Sequence, residues 1–172
     1  MNRSALLILT LSFGAVLYGQ ATNPLIAEGR APYNSVKNNL LKMADKMPED
    51  AYSFKPSPEV QSFAERINHI ANQIGTCSSL TGERKPPAPG KTKDEIVAAL
   101  KASFDACDAA WDSMNDKTAM EMVAGRGGQR SKLGVLIANT NHDSEMYGYL
   151  SVYLRLKGIV PPSSEGGMRG GR

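Results

Sequence analysis

SKLGVLIANTNHDSEMYGYLSVYLRLKGIVPP, residues 131–162, carries a helical period with both of its ends marked. Leu133, Leu136, Ile137, Thr140, Tyr147, Leu150 and Leu154 recur at steps of three and four, so they share one face of a helix reaching Lys157. Ser131 offers an N-cap oxygen, and Gly158 stands where a left-handed residue closes a helix. Pro161-Pro162 bars continuation. A helix of this length has to bury its stripe against other helices, so the rest of the chain is read for partners.

Three further segments carry the same period. Upstream, Thr92-Lys93-Asp94-Glu95 is a capping box, and Ile96, Leu100, Phe104, Cys107, Trp111 and Met114 extend a helix to about Asn115. Before it, Pro86, Pro87, Pro89 and Gly90 make Glu83–Lys91 an extended connection rather than a tight turn. Ser57-Pro58 with Glu59 predicts the start of a second helix, whose seam is Phe63, Ile67, Ile70, Ile74 and Cys77 and whose end falls near Gly82. The first helix spans Pro24–Met47, capped by Asn23, with Val36, Leu40, Met43 and Met47 on one face; Pro32 is expected to kink it or delay its start. Asp116–Arg130 has no period and three glycines, which predicts a flexible connection. Its Gly125-Arg126-Gly127-Gly128 lacks the preceding strand and the lysine-serine ending of a phosphate loop.

The ends of the chain read differently from its middle. Arg3 precedes an apolar run, Ala5–Tyr18, and Gly19-Gln20-Ala21 has the small-x-small pattern of a cleavage site. Residues 1–21 are therefore expected to be a secretory signal peptide, too short to span a bilayer. Cleavage would release a protein that is periplasmic or extracellular, with no membrane attachment. Residues 22–162 form one domain of ordinary size, and the glycine-rich stretch 163–172 is expected to be a disordered tail. Twenty basic and 17 acidic side chains are interspersed without a basic stripe, which argues against a nucleic-acid partner. The expected fold class is all-α.

Asn141-His142-Asp143-Ser144-Glu145-Met146-Tyr147-Gly148-Tyr149-Leu150, continuing from Tyr153 to Pro162, resembles the closing helix of DinB-like proteins. Met47-Pro48-Glu49-Asp50-Ala51-Tyr52-Ser53-Phe54-Lys55-Pro56, with Phe63 and His69, resembles the lead-in to that family's second helix. The resemblance implies a four-helix bundle of up-down-down-up topology with a long connection between helices two and three. It also implies a divalent metal held by three histidines, one on helix two and two spaced i, i+4 on helix four. Some relatives are thiol-dependent transferases or isomerases.

The sequence departs from that pattern at one ligand. His69 and His142 match two positions, but Met146 occupies the third, and the chain has no other histidine. An i, i+4 pair shares a helix face, so His142 and Met146 still point at one volume. A thioether is a poor ligand for zinc or nickel. Three states of the site stay open: a histidine pair bonded to each other, to Asn72, to Glu145 or to water, holding no metal; a weakened zinc or nickel site completed by Glu145 or water; and a copper(I) site of His69, His142 and Met146. The corresponding functions are a non-catalytic exported protein with a small-molecule ligand in the bundle cleft, a divalent-metal-dependent enzyme of the thiol transferase type, and an exported copper(I)-binding protein. No catalytic residue is assigned. A homodimer through helix faces is compatible with each. Cys77 and Cys107 sit on seam positions, where packing or a disulfide suits them better than nucleophilic chemistry. Parallel helices two and three, as the resemblance implies, put them at similar heights, and whether they are bridged stays open.

Overall fold

The computed structural model describes residues 24–125 and 127–166. The expected signal peptide, the cap at Asn23 and the end of the chain, 167–172, lie outside these residues. Helix α1 is Pro24–Lys46, α2 is Phe63–Ile74, α3 is Lys93–Asp112, the one-turn α4 is Asp116–Ala119 and α5 is Lys132–Leu156. A two-stranded antiparallel sheet, β1 (Met122–Gly125) with β2 (Gly128–Ser131), stands between α4 and α5. The chain is mostly helical, and among the described residues no helix is long and apolar enough to cross a membrane.

Local chemistry accounts for the ends of these elements. Thr92 and Glu95 form the expected capping box at α3. The box that starts α2 is Ser62 with Glu65, not Ser57-Pro58: Ser62 Oγ accepts the Glu65 N–H while the Glu65 carboxylate accepts the Ser62 N–H. Ser57 instead bonds the Glu59 carboxylate, and its segment stays in turns. Past Ile74 the chain tightens into a 3-10 segment, Gly75–Leu80, that carries Cys77. α1 runs through Pro32, which lies on its exposed side, where water can satisfy the carbonyl that the proline leaves unbonded. Ser131 caps α5 through the Gly134 N–H, and Gly158 has φ 74°.

A single core joins the helices. Leu40, Met43, Phe63, Ile67, Leu100 and Leu150 are fully buried, and Trp111 and Tyr33 pack ring against ring between α1 and α3. The pairings fix relative directions. Tyr33 donates to the Asp108 carboxylate at 2.7 Å and Arg30 meets Asp112, so α1 and α3 run oppositely. Ser103 donates to the Ala71 carbonyl and Cys107 is bridged to Cys77, so α2 and α3 run the same way. α5 runs against α2, with Tyr153 bonding the Gln61 carbonyl and His142 beside His69.

Two further expectations need correcting. The connection before α5 is not featureless: its glycines close the β1–β2 turn, with Gly127 and Gly128 at φ 86° and 130°, values open mainly to glycine. The beginning of the expected tail is also ordered. Pro162–Ser164 forms a 3-10 turn, the Ser163 N–H and hydroxyl both meet the Tyr147 hydroxyl, Arg155 reaches Ser164, and Lys46 pairs with Glu165. Few apolar groups are needed there because polar contacts anchor the segment.

Candidate functional site

The seam between α2 and α5 brings His69 and His142 together. Their Nε2 atoms are 3.2 Å apart and the ring centroids 5.2 Å, so one ring donates a hydrogen bond to the other. His69 has its pKa held below the usual histidine value by burial first, then by the charges of His142 and Arg66. That lowering favours the neutral form of His69.

One turn along the seam stands the mismatch. Met146, 5% exposed, accepts a hydrogen bond at its sulfur from Arg66 Nη1 at 3.7 Å. The Arg66 guanidinium also lies over the Tyr149 ring. Glu145 is exposed and lines a hollow with Met146, Arg66 and Tyr149 rather than meeting the imidazoles in a bond. Among the described residues no group of three or more histidine, cysteine, aspartate or glutamate side chains is arranged to hold a metal ion. Two imidazoles bound to one tetrahedral zinc would have their nitrogens roughly 3.3 Å apart, close to the spacing seen, so the pair alone suits a metal. The third donor does not. A cationic guanidinium occupies the approach to the one sulfur available, and it repels a second cation there. The residues present therefore do not fit a tightly held three-ligand divalent site.

The seam also contains a residue that periodicity passed over. Asp143 is fully buried in the stripe of α5, where Ile137 had been expected inward but is 38% exposed. Asn139 donates to its Oδ2 at 3.1 Å, whereas Oδ1 accepts no hydrogen bond and stands 3.6 Å from the buried His142 Nδ1, ion-pair range when that imidazole is protonated. Burial strips the carboxylate of water and pushes its pKa from 3.8 up to about 6; His142 opposes the shift.

A cleft of about 740 Å³ opens beside His142, between the end of α2, the hairpin and the first half of α5. Leu80, Val123, Val135 and Ala138 form its apolar walls, and Gln73, Thr76 and Asn139 contribute polar groups. Arg84 and Arg130 stand at its edges. None of these was singled out from sequence, because they are scattered over α2, the 3-10 segment, the proline-rich connection, the hairpin and α5, and the hairpin was unrecognised. Nucleophilic chemistry by a thiol is removed by a different contact: both cysteines are in the Cys77–Cys107 disulfide, with Cα atoms 4.9 Å apart.

With this architecture in view, the chain's kinship can be stated. The family model of the DinB superfamily matches residues 33–150, and the chain belongs to that superfamily. Among solved structures, it is similar to a DinB-like protein from Bacillus cereus ATCC 10987, with a TM-score of 0.67 at 19% identity over 80% of this chain and 95% of that one. It is similar also to a DinB-like protein from Bacillus subtilis, with a TM-score of 0.64 at 20% identity over 80% and 94% of the two chains. These likenesses establish the fold. No curated protein matches the chain.

Proposed function

We propose that this protein is an exported, non-catalytic DinB-like binding protein whose histidine pair holds a divalent metal weakly or not at all. The arrangement we assign is a four-helix bundle of up-down-down-up topology with the long connection between α2 and α3, a reading supported by the helix directions above. The observation that carries the functional reading is the Arg66 guanidinium on the Met146 sulfur. It puts positive charge where the family's third ligand would stand, and it weighs, though less strongly, against monovalent copper(I) as well. The Cys77–Cys107 bridge supports export, since disulfides persist in oxidising compartments. Elemental analysis of protein purified without chelators is the direct test. A metal-to-protein ratio well below one supports the proposal; one zinc or nickel per chain refutes it.

The second reading, a divalent-metal enzyme of the thiol transferase type, draws support from one measurement, the 3.2 Å between imidazole nitrogens. It needs a third ligand from water or from a moved Glu145 side chain, and an open coordination position.

A further inference from the structure

We propose that the cleft beside His142 binds a small organic oxyanion, a carboxylate or phosphate ester carried on an apolar body. The proposal rests on the binding-protein reading, to which it adds the chemistry of the ligand. The volume, about 740 Å³, falls within the roughly 300–1,000 Å³ of small-molecule sites. Among the described residues no acidic side chain lines it, while two guanidinium groups do.

Within this cleft the cations are not neutralised by protein groups: neither Arg84 nor Arg130 meets a carboxylate among the described residues. Arg84 is held in place without being neutralised: its Nη2 donates to the backbone carbonyl and the side-chain oxygen of Asn72 at 3.1 and 2.9 Å. The rest of its donor fork stays available for an oxyanion. Arg130 projects from β2, with its stem against Gly125 of the paired strand. The side chains of Gln73 and Thr76 make no hydrogen bond with described residues, which leaves neutral donors beside the two cations. The apolar walls opposite lower the local dielectric and strengthen a guanidinium–oxyanion contact relative to one in water.

The test is calorimetric titration of the full disulfide-bonded protein with benzoate, phenyl phosphate and the neutral benzyl alcohol. At least one anion is expected to bind saturably at one site, with affinity falling about tenfold or more in Arg84→Gln and in Arg130→Gln, as for loss of a charge-assisted hydrogen bond. The alcohol is expected to bind at least about tenfold more weakly than the better anion. Which anion binds tighter identifies the head group. Absence of saturable binding by both anions, equal binding of the alcohol, or anion affinity unchanged in the arginine variants would overturn the proposal. Both side chains are exposed, and if Arg84→Gln loses its fold through Asn72, Arg130→Gln decides alone. Anion binding by a protein that proves to carry stoichiometric zinc keeps this proposal and removes the metal-poor reading; a metal-poor protein without anion binding does the reverse.

Discussion

Replacing Asp143 by asparagine is expected to stabilise the protein at neutral pH and to do little at low pH. The carboxylate is fully buried, with one donor on Oδ2 and none on Oδ1. Its pKa rises from 3.8 to about 6 on folding, so between those values the native state binds the proton that the unfolded chain has lost. Stability from this group is therefore complete below about pH 4 and is lost as pH rises through about 6. The rise from 3.8 to about 6 corresponds to about 3 kcal/mol. Asparagine keeps the shape and can still accept from Asn139, but never has to ionise. The stability difference, Asp143→Asn minus parent, should thus grow by up to about 3 kcal/mol between pH 4 and pH 8. At roughly 2–4 °C per kcal/mol for a chain of this size, that is about 6–12 °C in melting temperature. Urea unfolding of both proteins at unit steps of pH measures the difference directly. A difference that stays flat, or shrinks as pH rises, refutes the reasoning.

Other expectations follow from single contacts. Met146→His should supply the missing imidazole, and equilibrium dialysis against zinc should show the metal-to-protein ratio rising toward one; no gain over the parent would mean that Arg66 or the seam itself excludes the ion. Replacing Cys77 and Cys107 together by alanine opens a loop with a sequence separation of 30 residues and should cost about 3–4 kcal/mol in urea unfolding. Gly90→Ala should cost about 1–3 kcal/mol, because a Cβ there would lie 2.4 Å from the Ile96 backbone nitrogen and force the connection off α3. An unaltered denaturation midpoint would show that this stretch yields freely.

Helix existence was legible because burial imposes a period: Phe63, Ile67, Ile70, Leu100 and Leu150 all point to the core as their spacing requires. The α3 start was legible for the same reason that it is stable, since its capping box is local chemistry. The start of α2 was misplaced although Ser62-Phe63-Ala64-Glu65 spells the same box; the proline after Ser57 drew the boundary five residues early. The hairpin escaped because β1 and β2 bury little, and neither Met122–Gly125 nor Gly128–Ser131 alternates apolar with polar residues in its sequence. At the site, the resemblance to DinB-like proteins brought His69 and His142 into view. Arg66, which decides what Met146 can do, carried no signal because an arginine on a helix usually faces water. Asp143 was hidden by a rule that holds almost everywhere, that a carboxylate stays out of a core stripe.

The proline-rich connection has a consequence for how the molecule would wear. Asn68 grips Gly90 through both its amide nitrogen and its oxygen, Arg84 clasps Asn72, and the Lys85 amide meets Ser78, so the segment lies stitched along its neighbour. A protease needs several residues that can peel away into its groove, and here the peptide that composition advertises as the easiest to nick is fastened at three stations. Cleavage trials should spare it while the chain is folded, and an engineer seeking a place to insert a tag or split the polypeptide would do better elsewhere.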